Sequence, residues 1–172
     1  MFRMSRAIGT SGTAVVVGIG EPVGRAVASA LLAAGYRVAA SADEPAVLDE
    51  ARAAFTPVHG DAFEPLLGHA DNPALADWAI GEYRPDLLVL LAGADETAAA
   101  QAAFLWCREV FTGLLANSTT IVVSGHRAVR DLVADAASQS EAAPRFGIRF
   151  LHQDTAATVE ETVAAVLTEA GL

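Results

Sequence analysis

Apolar residues along the chain alternate between short continuous runs and stretches with helical spacing. Residues 14–17 form an apolar run that leads into a glycine-rich turn. Residues 37–42 form a second run that is apolar except for Arg37 and Ser41, and residues 87–92 form a third. Between the first two runs, apolar residues recur every three or four positions, as in an amphipathic helix. They are Val23, Val27, Ala30, Leu31 and Ala34. Apolar runs that alternate with helical stretches predict a parallel β-sheet covered by helices.

The same pattern predicts about six strands and their connecting helices. The predicted strands cover residues 14–17, 37–42, 56–59, 87–92, 120–124 and 148–152. After a first helix that ends at Gly35, the predicted helices cover residues 44–54, 73–82, 96–115, 128–138 and 159–170. We therefore predict an α/β fold: a single Rossmann-like domain with a doubly wound parallel sheet over residues 14–172. Residues 1–13 are predicted to be a flexible lead-in.

The turn after the first strand carries the clearest chemical signal. Gly18, Gly20 and Gly24 stand in the spacing G-x-G-x-x-x-G directly before the first helix. Glycines at such a turn let the backbone approach a ligand closely, and a helix N-terminus attracts a phosphate. The turn therefore predicts a nucleotide site. The alternative is that the glycines only allow the strand and the helix to pack closely.

Asp43 ends the second predicted strand, where a carboxylate can accept a hydrogen bond from a ribose hydroxyl. A carboxylate there favours NAD over NADP, because it repels a 2′-phosphate. Two outcomes stay open at this point: an NAD(P) cofactor, with NAD preferred, or no cofactor at all.

The amino-acid composition argues against several classes of binding partner. The net charge is −10 and no basic cluster is present, which argues against nucleic acid and against anionic membrane surfaces. No apolar run reaches the roughly 20 residues needed to span a bilayer. A single cysteine fits a cytoplasmic location. The chain contains no lysine, which excludes Schiff-base and P-loop-lysine chemistry. A small-molecule substrate is the partner that remains.

Several segments resemble the short-chain dehydrogenase/reductase family. They occur in the family's order and cover most of residues 14–170. The matching segments are VGIGEPVGRAVASALLAAGYRV at the glycine-rich turn, YRPDLLVLLAGA at the strand that normally ends in Asn-Asn-Ala-Gly, TTIVVSG at the strand of the catalytic serine, and RFGIRFLHQDTAATVEETVAAVL at the terminal segment. The resemblance implies a cofactor site that includes Gly93, with Asp61 beside the adenine ring. It also places Ser124 at the position of the catalytic serine.

The chain departs from that family in its catalytic groups. The family's Tyr-x-x-x-Lys motif has no counterpart, because lysine is absent and the only tyrosines are Tyr36 and Tyr83. Both are predicted to lie at the edge of the sheet away from the site. Pro22 replaces the middle glycine of the turn, and the chain is shorter than typical members. The usual hydride-transfer machinery is therefore absent.

Polar residues follow the fourth, fifth and sixth predicted strands, whose carboxyl ends meet at one edge of the sheet. They include Asp95, Ser124, His126 and His152. Histidine titrates near neutral pH and suits acid–base catalysis. We predict His126 as the proton-transfer group, oriented by Ser124 or Asp95, with His152 as a further candidate. The alternatives are a helix cap for Asp95 and an exposed loop position for His126. No metal site is predicted.

Three functional hypotheses remain. The preferred one is a biosynthetic enzyme that uses non-redox acid–base chemistry on a small carbonyl metabolite, by cyclisation, isomerisation or dehydration. The first alternative is an atypical NAD(P)-dependent oxidoreductase with His126 as its proton donor. The second is a non-catalytic nucleotide-binding or assembly subunit.

The long helix at residues 96–115 carries apolar residues on more than one face. They are Phe104, Leu105, Trp106, Phe111, Leu114 and Leu115. This width predicts a homodimer or tetramer formed through the helix, and the family resemblance implies the same contact. Cys107 is predicted to pack inside the helix layer.

Overall fold

The computed structural model describes residues 12–91, 95–112, 119–125, 147–152 and 158–172, together with the helical residues 131, 134, 135 and 138. The strands within these ranges are β1 (Gly12–Val17), β2 (Tyr36–Ala42), β3 (Phe63–Leu67), β4 (Leu87–Leu91), β5 (Thr120–Gly125) and β6 (Gly147–His152). The helices are α1 (Pro22–Ala33), α2 (Pro45–His59), α3 (Pro73–Tyr83), α4 (Glu96–Thr112) and α5 (Val159–Glu169). None of these described helices is long and apolar enough to cross a membrane.

The six strands form one parallel sheet in the order β3-β2-β1-β4-β5-β6. The chain runs outward from β1 to β3, then returns to the other side of β1 with β4. Because all strands are parallel, their carboxyl ends lie at one edge, with the topological switch point between β1 and β4. The predicted doubly wound Rossmann-like sheet is therefore confirmed. β1 begins at Gly12, and residues 1–11 of the predicted lead-in lie outside the described part of the chain.

The sheet is buried on both faces, which explains the continuous apolar runs. Ala14 and Val16 of β1 pack on the side of α1, α2 and α5, while Val15 and Val17 pack on the side of α3 and α4. All four side chains are almost completely buried. Successive residues of a strand point to opposite faces, so a strand covered on both sides must be apolar throughout.

The predicted third strand is wrong. Residues 56–59 belong to α2, which continues through Pro57 to His59, and β3 lies at Phe63–Leu67. A proline normally interrupts a helix, because it has no N–H to donate to the carbonyl oxygen four residues earlier. The rings of Phe55 and Phe63 nevertheless pack edge to face, 5.0 Å apart, and hold the end of α2 against β3. Pro65 is tolerated within β3 because β3 is an edge strand.

The inner face of α4 supplies a large part of the core. Trp106, Cys107 and Val110 are fully buried. Burial raises the pKa of the Cys107 thiol to about 12, so the thiol is protonated and unreactive at neutral pH. This confirms the prediction that Cys107 packs inside the helix layer.

We expect native Cys107 to resist alkylation by iodoacetamide at pH 8 and to react only after unfolding. The thiol is buried and its pKa of about 12 leaves almost no thiolate at that pH. Intact-mass analysis after timed alkylation, with and without denaturant, measures this directly because the chain has one cysteine. Complete modification of the native protein within minutes would disprove the buried position.

Candidate functional site

The turn between β1 and α1 crosses the end of β2. The amides of Gly18 and Ile19 both donate to the Ser41 carbonyl, at 3.2 and 2.9 Å. The Gly18 amide also lies 3.3 Å from the buried Ser41 hydroxyl, which accepts from it. Gly18 has a φ of +97°, a conformation in which a side chain is strained. Ser41 and Gly18 together fix where the turn leaves the sheet.

The two other glycines of the turn have different environments. A Cβ at Gly24 would collide with the Gly18 carbonyl oxygen and lie 2.9 Å from the Ile19 Cα. Gly24 therefore allows α1 to pack against the turn, as the packing alternative supposed. At Gly20, no atom of the described part of the chain lies within 4 Å of the position that a Cβ would take. Packing does not explain Gly20, and the open space beside it is accessible to a ligand.

No side chain caps the first turn of α1 among the described residues. Its N-cap residue, Glu21, makes no side-chain cap hydrogen bond, and Pro22 occupies the first helical position. Proline is tolerated there because the first helical N–H has no acceptor within the helix. The start of α2 is built in the same way, with Glu44 and Pro45, whereas Asn72 caps α3 and Thr158 caps α5. The uncapped amino end of α1 lies next to the open Gly20, an arrangement that suits a phosphate group.

Asp43 lies directly after β2, at the same edge of the sheet as the turn. Its Oδ2 is 3.6 Å from Nδ1 of His69, and both side chains are largely exposed. His69 follows β3, with only Gly68 between them. The sequence did not indicate this pairing, because the predicted third strand begins seven residues before β3. A correct assignment of β3 is the signal that would have identified His69.

The structure corrects the placement of Asp61. It lies in a 3₁₀ turn, Gly60–Ala62, immediately before β3, and is exposed. The five residues of β3 span about 16 Å, so Asp61 is at the opposite edge from the Gly18–Gly24 turn. The residues that follow β3 at the carboxyl edge are Gly68 and His69.

The other predicted site residues are only partly described. The backbone of Ser124 pairs with Leu91 near the end of β5, and that of His152 pairs with Gly125 at the end of β6. Both positions therefore lie at the predicted carboxyl edge. His126 and Gly93 lie outside the described residues, and their roles stay predictions.

Asp95 caps a helix. Its Oδ1 accepts hydrogen bonds from the Thr97 and Ala98 amides, at 2.9 and 3.1 Å, at the start of α4. The capping alternative is confirmed, and a role for Asp95 in orienting His126 stays a prediction.

Both tyrosines of the chain lie at the amino edge. Tyr36 begins β2 beside Gly12, and Tyr83 ends α3. Burial, with a further contribution from the Glu64 carboxylate, raises the pKa of Tyr83 above its ordinary value. The tyrosine hydroxyls are therefore far from the carboxyl edge, as predicted.

Trp106 does not belong to an exposed interface. It is fully buried, and its Nε1 donates to the Ala70 carbonyl at 2.8 Å. Phe104 is 37% exposed and Leu105 is half-buried. The side chain of Phe111, and all of Leu114 and Leu115, lie outside what the structure describes. The predicted contribution of Trp106 to an interface is therefore wrong, while a homodimer or tetramer through the helix at residues 96–115 stays a prediction.

Comparisons with known proteins give similarity in structure only. No protein-family model matches the sequence, and a search of curated proteins finds no relative. A metagenomic short-chain oxidoreductase in complex with NADP superposes with a TM-score of 0.75 at 16% identity, over 95% of this chain and 92% of its own. The chain has the short-chain dehydrogenase/reductase fold. This confirms the fold that the sequence resemblance implied.

Two further short-chain dehydrogenase/reductase-fold structures are longer than this chain. L-sorbose reductase from Gluconobacter frateurii, in complex with NADPH and L-sorbose, has a TM-score of 0.58 at 18% identity over 76% of this chain. A short-chain dehydrogenase from Streptomyces avermitilis has a TM-score of 0.59 at 22% identity over 85% of this chain. The chain covers 62% and 65% of their respective lengths.

These comparisons bear on two of the functional hypotheses. The similar structures are described as oxidoreductases, dehydrogenases or reductases. The preferred hypothesis of non-redox chemistry gains no support from them, and the oxidoreductase alternative fits better. The complexes named contain NADP or NADPH, so they do not support the predicted preference for NAD.

Proposed function

We propose that the chain is an NAD(P)-dependent oxidoreductase whose dinucleotide binds at the carboxyl edge of β1 and β2. The observation that carries this proposal is the turn at Gly18–Gly24. Among the residues that the structure describes, Gly20 faces open space there and no side chain caps the helix that begins beside it. Its position next to the switch point of the sheet is where ligands of such folds bind. The similar fold of the NADP complex supports the same location.

The described residues fit a dinucleotide in two places. The amino end of α1, which Glu21 does not cap with its side chain, suits its pyrophosphate, because the helix dipole favours negative charge there. The Asp43 carboxylate suits the hydroxyls of the adenosine ribose. When bound, the dinucleotide supplies hydride transfer. The protein then has to orient a carbonyl compound and donate a proton to its oxygen.

A preference for NAD is part of the proposal and rests on Asp43. A 2′-phosphate beside its carboxylate would be repelled. The two arginines described between β1 and β3 that form ion pairs are both engaged by glutamates. Arg25 pairs with Glu50 at 3.2 Å, and Arg37 pairs with Glu64 at 3.1 Å. Both arginines are therefore held by glutamates rather than by a 2′-phosphate beside Asp43.

The proton donor in this proposal is His126, because neither tyrosine reaches the carboxyl edge and the chain has no lysine. We expect His126→Ala to lower kcat for carbonyl reduction about 100-fold. Cofactor KM should stay unchanged, because the imidazole acts on the substrate oxygen. The His59→Ala variant is the matched control, since His59 ends α2 at the amino edge.

The test is a turnover assay with NADH and NADPH against a panel of ketones and aldehydes, following loss of the reduced nicotinamide absorbance. Turnover that falls in His126→Ala and persists in His59→Ala supports the proposal. Full activity of His126→Ala would rule out His126 as the proton donor. Tight dinucleotide binding without turnover of any compound would favour the non-catalytic alternative.

A further inference from the structure

The loop of residues 68–72, between β3 and α3, is held by bonds to three separate parts of the fold. The Gly68 amide donates to the Ala42 carbonyl of β2 at 3.0 Å. The Ala70 carbonyl accepts from Nε1 of Trp106 in α4 at 2.8 Å. The Asn72 amide donates to the His69 carbonyl at 3.0 Å, and Asn72 also caps α3. The backbone of His69 is therefore fixed by its surroundings.

This 68–72 loop lies at the same edge of the sheet as the glycine turn. Leu67 of β3 is in register with Ala42, and Ser41 is in register with Val17, which precedes Gly18. The ends of β1, β2 and β3 thus place Gly18, Asp43 and His69 side by side. Nδ1 of His69 and Oδ2 of Asp43 are 3.6 Å apart, slightly beyond hydrogen-bond distance. Their side chains are 75% and 56% exposed, so both keep polar atoms available to a ligand.

We propose that His69 is a specificity-determining residue that binds the adenosine ribose together with Asp43. The inference rests on the proposed function, since it assigns a second residue to the same dinucleotide site. The carboxylate accepts hydrogen bonds from ribose hydroxyls, and an imidazole N–H donates to a hydroxyl oxygen or to a 2′-phosphate. With Asp43 in place, the pair selects the hydroxyls. Without the carboxylate, His69 is left as a donor that favours the phosphate.

The experiment is a calorimetric titration of the full chain with NAD⁺ and NADP⁺ for four proteins: the parent, Asp43→Asn, His69→Ala and the double variant. His69→Ala is expected to weaken NAD⁺ binding about fivefold, the effect of one hydrogen bond. Asp43→Asn is expected to strengthen NADP⁺ binding about tenfold, through the removal of charge repulsion near the surface. In the double variant that gain in NADP⁺ affinity is lost. His59→Ala is the control and leaves both affinities unchanged.

Two results separate the failure of this inference from the failure of the proposed function. If the parent binds NAD⁺ or NADP⁺ but His69→Ala binds it equally well, His69 has no such role and the proposed function stands. The same conclusion follows if Asp43→Asn gains equally with and without His69. If the parent binds neither dinucleotide, the proposed function is overturned and the inference falls with it.

Trp106 has a positioning role in this proposal, because it acts on His69 only through the 68–72 loop. Trp106→Phe keeps an aromatic ring in the core but removes the bond to the Ala70 carbonyl. We expect it to weaken NAD⁺ binding about threefold in the parent and to have no effect in the His69→Ala background. An equal loss in both backgrounds would show that Trp106 serves only the stability of the fold.

Discussion

Replacing Trp106 by alanine is expected to lower the free energy of unfolding by about 3–5 kcal/mol, the range for large aromatic residues in a core. The side chain is fully buried between α4 and the sheet, so its removal leaves a cavity that the strands cannot close. The change also leaves the Ala70 carbonyl without its Nε1 donor, a bond of 2.8 Å. The cavity and the lost hydrogen bond both lower the free energy of unfolding.

Trp78 provides the matched control for this prediction, because it is the only other tryptophan in the chain. It is 50% exposed and packs edge to face on Tyr83, with ring centroids 5.7 Å apart. Trp78→Ala is expected to cost about 1 kcal/mol. Urea unfolding followed by circular dichroism measures both losses. Equal losses in the two variants would contradict the burial of Trp106.

Gly24→Ala is expected to lower the free energy of unfolding by about 3 kcal/mol, at the upper end of the overpacking range. The added methyl group meets the Gly18 carbonyl and the Ile19 Cα. These are backbone atoms that cannot rotate aside, so α1 has to shift away from the turn. The shift would also move the uncapped start of α1, and we expect dinucleotide affinity to fall with stability.

Gly20→Ala is the control within the same turn. No atom of a described residue lies within 4 Å of its added methyl group, and we expect stability to change by less than about 0.5 kcal/mol. Thermal unfolding of the two variants in parallel distinguishes them. A stable Gly24→Ala protein would mean that α1 does not pack against the turn as described.

Much of the fold follows from the sequence because its central strands are buried on both faces. The runs that became β1, β2 and β4 were predicted to within two residues at each end. Such runs have one physical explanation, a parallel strand between two helix layers. The glycine turn was likewise recognisable. Its sequence did not show which of the glycines is required for packing, since that depends on which atoms lie near each one.

The errors arose where local sequence and tertiary packing disagree. Pro57 lies in a segment predicted to be a strand, and Pro65 lies in a segment for which no strand was predicted. The contact between Phe55 and Phe63, and the edge position of β3, reversed both interpretations. Because the predicted third strand lay too early in the chain, Asp61 was included in the predicted site and His69 was not. The assignment of Trp106 to an interface failed for a related reason. The sequence did not show that the Ala70 carbonyl, in the 68–72 loop, would accept a hydrogen bond from its indole N–H.

Calorimetric titration of the parent and of Gly20→Val with NAD⁺, NADH, NADP⁺ and NADPH shows directly whether the glycine turn binds a dinucleotide. Gly81→Val is the matched control, since Gly81 also has open space around it but lies in α3, away from the turn. We predict micromolar binding of one of the dinucleotides to the parent and to Gly81→Val. Binding to Gly20→Val should be weaker by about 100-fold, which is about 2.7 kcal/mol. No binding to the parent at millimolar ligand, or equal binding to Gly20→Val, would contradict a dinucleotide site at the glycine turn.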